Sequence, residues 1–386
     1  MQKFGPYLCS KPGLQIIHNM LPYWIILMVP AFAAILSAAN LKKTPIDFSN
    51  SLRSRTEENS LGLKLFVVLL AFMIGLRHQV GGDWYNYLPQ IEAASKLSFL
   101  ESATLRGDPA YSVLVWLSTQ LGLGVYGVNW VSAVFFALGL YVFVIHSPQP
   151  WLALSVSIPY LVIVVAMGYT RQGIALGFVM MGLVSLQKGS ILKFAGWLAF
   201  AAVFHKSAVI LVPLAIFSGR KNWWALVGVI LMGLLLFLLL LAEHVDTLIS
   251  GYITDQYESS GAAIRIAMNA LPAIIYLIYR KKFKLSVAQQ SFWTWVSLGA
   301  LIFILVLVVS PSSAAVDRVA LYWIPLQLFV WSRVPIAMGN ARASRVQWTS
   351  LVLLYAFAVQ YVWLFYADYS YAWIPYKFYP WQWLWN

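Results

Sequence analysis

Apolar stretches about as long as a bilayer crossing, separated by short polar breaks, recur along the whole chain. They predict helical spans near residues 20–39, 62–76, 126–145, 151–168, 172–187, 223–242, 264–279, 288–309, 316–332 and 347–366, because a bilayer core is crossed by about 20 apolar residues. Two stretches fit less simply. Residues 110–122 are amphipathic and short, and 194–218 form one apolar block with His205 and Lys206 at its centre. Lys188 and Lys193 precede that block and Arg220 and Lys221 follow it, so both of its ends belong on one side of the membrane. The simplest parity is a hairpin of two short or re-entrant helices with His205 at its tip. The expected fold is all-α and polytopic, with about 10 to 12 transmembrane helices. Residues 1–386 are expected to form a single integral membrane domain, with an N-terminal segment over 1–19, outer loops over 77–110 and 243–263, and an aromatic tail over 367–386.

Composition narrows the class. Of 386 residues, 61% are hydrophobic and 10% charged, where soluble domains carry roughly 25% charged residues. No polar block is large enough to fold outside the lipid. The formal charge of +13 would suggest nucleic acid in a soluble protein, but no basic stripe or RNA-binding signature accompanies it, and no nucleic-acid partner is expected. In a membrane protein the excess should sort to cytoplasmic loops. Placing 40–61, 188–193, 219–222, 280–287 and 333–346 on one side, with Lys64, gathers 16 of the 26 basic residues there and only three acids, Asp47, Glu57 and Glu58. The opposite side nevertheless carries Arg77, Arg106, Arg171, Arg265 and Arg318, each at a span end or in a loop between spans. The lone Cys9 excludes a disulfide framework and a thiolate metal cage. The first span is expected to stay as a helix rather than be cleaved as a signal, and no internal repeat is visible.

Five constellations on that side could carry chemistry. Gly75-Leu76-Arg77-His78-Gln79-Val80-Gly81-Gly82-Asp83-Trp84-Tyr85-Asn86-Tyr87 closes the second span. Its two glycines permit a tight turn that would return Asp83 toward Arg77, making a charged pocket rimmed by Trp84 and Tyr87. A loop salt bridge with interfacial aromatics is the plainer alternative. Tyr169-Thr170-Arg171-Gln172-Gly173 opens a helix with an arginine, where free N–H groups and the dipole add to the guanidinium and suit a phosphate; snorkelling to the interface is the alternative. Phe204-His205-Lys206-Ser207 puts an ionisable pair between apolar segments, which is costly unless it functions, and histidine suits proton transfer. A capping role is its alternative. Arg265, after Ser259-Ser260-Gly261, and Asp317-Arg318, followed by Tyr322, each enter a span from the same side. The tail residues Trp373, Tyr376, Phe378, Tyr379, Trp381, Trp383 and Trp385 predict an interfacial belt, with a sugar-stacking platform as the sharper reading. No metal-ligand pair, phosphate-cradling loop or nucleophile elbow occurs, so neither metal nor cofactor is called for.

Taken in order, Gly75-Leu76-Arg77, Val80-Gly81-Gly82-Asp83-Trp84-Tyr85-Asn86-Tyr87, Thr170-Arg171-Gln172-Gly173-Ile174-Ala175 and Phe204-His205-Lys206-Ser207-Ala208 resemble the EpsG family, bacterial polytopic membrane proteins related to Wzy-type O-antigen and capsule repeat-unit polymerases. Arg265, Arg318 and Trp373-Ile374-Pro375-Tyr376-Lys377 match more loosely. Where many relatives read Gly-Thr-Asp-Tyr this chain reads Gly81-Gly82-Asp83-Trp84 without the loss of a charged group, and its N-terminus is longer. The resemblance implies a multi-pass inner-membrane glycosyltransferase with a periplasm-facing active-site cavity. Its donor and acceptor would be undecaprenyl-diphosphate-linked saccharides, and a chain-length regulator is a candidate partner. For that reaction, side and spacing make Arg171 and Arg318 the expected diphosphate clamps, Arg77 and Arg265 helpers that hold phosphate or an acidic sugar, Trp84 and Tyr87 substrate-binding aromatics, and His205 the first and Asp83 the second choice of general base. A flippase for the same lipid, and a membrane transferase using a polyprenyl-phosphate sugar or acyl donor, remain the alternatives.

Overall fold

The computed structural model describes residues 13–40, 60–104, 108–218, 223–240 and 258–381. Cys9, Arg106, Arg220, Lys221, Trp383 and Trp385, together with nearly all of the 40–61 loop and most of the 243–263 loop, lie outside the described residues. Among those described, helices account for nearly all regular structure, and the one β-contact is an isolated bridge.

The elements follow the apolar pattern. Helix α1 covers Gly13–Asn40 and α2 Ser60–Gly75. The outer loop that follows folds into α3 (Trp84–Ala94), α4 (Phe99–Thr104) and α5 (Pro109–Gln120). Helix α6 is Gly124–Ile145; α7 (Pro150–Ser157) runs without a break into a π-helix over Ile158–Ala166. Helix α8 covers Thr170–Gln187 and α9 Ile191–Phe204, after which a 3-10 helix runs from Lys206 to Ser218. Then come α10 (Trp223–Leu240), α11 (Ala262–Tyr279) and α12 (Val287–Val309). Helices α13 (Ser313–Ala320), α14 (Ile324–Trp331) and α15 (Val334–Met338) form one interrupted crossing, and α16 is Arg342–Tyr366.

Local chemistry sets several of the boundaries. Proline occupies the first turn of α5 and α7, where no N–H partner is lost. Ser286 and Ser312 cap α12 and α13 by accepting from Gln289 N and Ala315 N. Among the described residues, seven helices are long and apolar enough to cross a bilayer, and four shorter apolar helices accompany them. The chain is therefore an all-α, multi-pass membrane protein. Apolar side chains along α10 and α12 stay exposed on the outer faces, as a lipid solvent permits.

The 194–218 block folds as the expected hairpin, with extended His205 (φ −154°, ψ 104°) between its two helices. Helix α8 is buried along almost its whole length. Gly139 and Gly177 allow this, because a Cβ on Gly139 would lie 2.0 Å from the Gly177 carbonyl oxygen, so α6 and α8 meet backbone to backbone. That close approach puts the start of α8, and hence Arg171, in the middle of one end of the bundle. Lys188, Lys193, Arg280, Lys281, Lys282, Lys284, Arg342 and Arg345 lie at the turns of the opposite end.

The C-terminal tail departs from the belt expectation. Trp373 is 1% exposed; its indole N–H donates to Ile163 O at 2.7 Å, and its own carbonyl accepts from Tyr23 OH at 2.6 Å. Tyr376 OH donates to Met73 O at 2.9 Å, His78 N to Lys377 O at 2.9 Å and Tyr379 N to Leu76 O at 2.8 Å. The tail thus straps down the first motif. Aromatic bulk and free backbone groups serve this role as well as they would an interface, which is why composition alone misplaced it. Trp381 is the described tail tryptophan that remains exposed.

Gly81 is the pivot of this strap. Its φ is +108°, its N–H donates to Ala372 O at 2.9 Å, and a Cβ there would stand 2.2 Å from Met167 O. Gly82 has ordinary backbone angles, and a Cβ there would make only a van der Waals contact at 3.5 Å with Trp373. Gly81→Ala should therefore lower the melting midpoint and the yield of folded protein, while Gly82→Ala leaves both near wild type. Fluorescence-detected size exclusion after heating reads the difference.

Candidate active site

Hydrogen bonds between helix ends show that four of the five arginine-side constellations share one end of the bundle with the His205 hairpin tip. Arg77, just past α2, is 1% exposed. It donates Nε to Val80 O at 3.1 Å, Nη2 to Thr170 Oγ1 at 2.9 Å and to Asn129 Oδ1 at 3.1 Å, and Nη1 to Ile74 O. It joins α2, α6 and α8, and its donors face protein rather than open space. The expectation that it holds phosphate is corrected on that ground, since a buried guanidinium serving four acceptors is a structural tie. It forms no ion pair with Asp83. That carboxylate instead accepts from Asn86 Nδ2 at 3.3 Å and Tyr87 OH at 3.4 Å.

Trp84 and Tyr87 are also displaced from their expected role. Both are buried, in a satellite core with Tyr111, Val115, Val125 and Val128 beneath the 77–110 loop, so they do not rim a charged pocket. Tyr87 OH also accepts from Thr170 N at 3.0 Å, which removes one of the free N–H groups expected at the start of α8. Burial, with Asp83 beside it, pushes the Tyr87 phenol up to about 12, so it remains a donor at neutral pH.

The charged centre forms around Asp108, a residue the sequence left unremarked. It occupies the N-cap position of α5 but does not cap that helix. Its Oδ2 lies 3.0 Å from Arg171 Nη1 and 3.9 Å from His205 Nδ1, and its Oδ1 accepts from Lys206 N at 3.0 Å. One buried carboxylate therefore draws together α5, the start of α8 and the tip of the hairpin. Burial by itself would raise its pKa, but His205, the Lys206 N–H and Arg171 outweigh that and hold it below the ordinary carboxylate range. It stays ionised. Arg171 keeps 33% of its side chain exposed and lies over the Tyr111 ring at 5.7 Å, and His205 keeps 21%. An Asp-Pro pair before an amphipathic helix reads as a simple cap, so only the fold reveals its use.

A second group adjoins the first. Arg265 at the start of α11 makes a bidentate pair with Asp317 of α13, at 2.6 and 2.8 Å, and both also bond Ser259 Oγ. Arg318 is exposed, and its carbonyl accepts from Gln172 Nε2 at 2.7 Å. These residues line a cavity of about 570 Å³ between α8, α11, α13 and α16, together with Glu258, Asp368 and several aromatic side chains. Ser207 and Tyr322 hydroxyls, 3.2 Å apart, link the hairpin to the segment after α13. Four sequence candidates therefore meet in two adjoining groups, His205 with Arg171 and Arg265 with Arg318, while Asp83 bonds Tyr87 outside both. Among the described residues no group of three or more His, Cys, Asp or Glu has the arrangement of a metal site.

An all-α multi-pass membrane protein with arginine, histidine and carboxylate gathered beside a cavity at one end is the class that fold and site define. The chain belongs to the EpsG family, whose model matches residues 63–378, and that membership makes it a polysaccharide-polymerase-like membrane protein. No curated protein and no solved structure matches it in comparison.

Proposed function

We propose that this chain polymerises undecaprenyl-diphosphate-linked oligosaccharide repeat units by glycosyl transfer, from the periplasmic face of a bacterial inner membrane. The end bearing Lys188, Lys193, Arg280 and Arg342 would be cytoplasmic by the positive-inside rule, which turns the cavity outward. The observation that carries the reading is the Asp108 cluster: it holds a partly exposed guanidinium and a partly exposed imidazole against one ionised carboxylate, one residue along α8 from the cavity.

In the reaction an acceptor hydroxyl oxygen bonds to the donor's anomeric carbon as the bond from that carbon to the diphosphate oxygen breaks. The hydroxyl proton passes to a base and the lipid diphosphate departs. Negative charge grows on the diphosphate, and oriented guanidinium groups stabilise it. Arg171 and, across Gln172, Arg318 supply them. His205, whose Nδ1 lies 3.9 Å from the Asp108 carboxylate, takes the proton. Asp83 is the second candidate base, less open to substrate because Asn86 and Tyr87 already bond it.

A flippase would need cationic groups along a path through the membrane, whereas the partly exposed candidates here cluster at one end. Deleting the gene in a strain that makes a surface polysaccharide separates the two. Polymerase loss leaves a single repeat unit on the lipid core, and flippase loss leaves none. The second pattern would overturn the reading.

A further inference from the structure

The 570 Å³ cavity has a charge pattern of which the diphosphate reading uses only Arg318. Two guanidiniums line it, Arg265 and Arg318, against three carboxylates, Glu258, Asp317 and Asp368. The charge of Arg265 is already matched by the bidentate Asp317 pair. Carboxylates are therefore in formal excess, and a diphosphate placed inside would face like charge in a partly desolvated space. The Asp108 cluster has the opposite balance, with the Arg171 guanidinium paired to its one carboxylate and the Lys206 ammonium within electrostatic reach of both.

The remaining lining suits a sugar. Tyr160, Tyr169, Tyr355, Trp363 and Tyr366 line it, aromatic side chains on which the C–H faces of a pyranose ring can rest. Carboxylates are acceptor-only groups that take hydrogen bonds from hydroxyls, and Asp368 already does so from Ser260 Oγ. The volume falls within the range of small-molecule sites.

We propose that this cavity is a saccharide subsite selective for an uncharged sugar, with the lipid diphosphate held at its rim by Arg171 and Arg318. The proposal rests on the glycosyl-transfer reading for its choice of ligand. An acidic sugar is disfavoured, because its carboxylate would meet Glu258 and Asp368, while Arg265 is committed to Asp317 and Arg318 serves the diphosphate.

Equilibrium binding to the full-length chain in nanodiscs tests it with three synthetic probes: farnesyl diphosphate, farnesyl-diphosphate-linked chitobiose, and the same conjugate ending in glucuronate. The expected result is that chitobiose adds at least threefold to the affinity of the bare diphosphate and binds at least threefold tighter than the glucuronate form. In Glu258→Gln/Asp368→Asn, whose two side chains lie at exposed positions, the gap between the saccharides should close, while farnesyl diphosphate binds within twofold of wild type. Arg171→Gln should weaken all three probes. A smaller preference for the neutral sugar, a preference for glucuronate, or equal loss of bare diphosphate binding in the double variant overturns the proposal. Binding needs no turnover, so a chain that made no polymer would sink the polymerase reading and leave this pattern readable.

Discussion

Arg77→Ala should yield little folded protein, and Arg77→Lys should not restore it. The substitution strands acceptors on Ile74, Val80, Asn129 and Thr170 in a site that is closed to water. It also opens a void where α2, α6, α8 and the C-terminal strap converge. Each buried acceptor left without a partner costs about 1–3 kcal/mol. A lysine ammonium is a single point charge and cannot reach acceptors spread around a planar fork. The thermal midpoint in detergent should fall by roughly 10 °C. A phosphate-binding arginine would behave differently, losing polymer formation with the midpoint unchanged, and that outcome would restore Arg77 to the substrate site.

Arg171→Gln, His205→Gln and Asp108→Asn should behave in the opposite way to Arg77, with folding retained and activity lost. Arg171 and His205 are partly exposed, and an asparagine at 108 can still accept from Lys206 N. Losing one oriented donor to developing charge costs about 3 kcal/mol, about a hundredfold in rate. Losing a general base costs roughly a hundredfold to ten-thousandfold. Asp108→Asn removes the ionic partner of both groups at once, so its loss should at least equal that of Arg171→Gln. Chain-length distributions of the cell-surface polymer read all three. If His205→Gln or His205→Ala kept full polymer length, the base would be another group, with Asp83 next in line.

The spans were legible because bilayer thickness imposes a length that apolar runs must meet, and the hairpin at 194–218 followed from the sign of its flanking charges. The site was legible by side and only partly by contact. Arg171, His205, Arg265 and Arg318 were recognisable because arginine and histidine at span ends are costly wherever they lack a task. Arg77 carries the same signal for a different reason: it is a buried tie, and sequence gives no depth. Asp108 was missed because an aspartate before proline has a local explanation in capping, which the long-range contacts with Arg171 and Lys206 override. Trp373 was misplaced because an amphipathic ring suits an interface and a core equally, and only Ile163 O, turned toward it from the π-helix, decides between them.

The most direct measurement is product analysis with the purified chain in nanodiscs, supplied only with undecaprenyl-diphosphate-linked repeat units extracted from the deletion strain. The account predicts a ladder of lipid-linked oligomers spaced by one repeat, reduced to the single unit by Arg171→Gln. Repeat units that stay single with folded wild-type protein, or a ladder that survives Arg171→Gln unchanged, would contradict it.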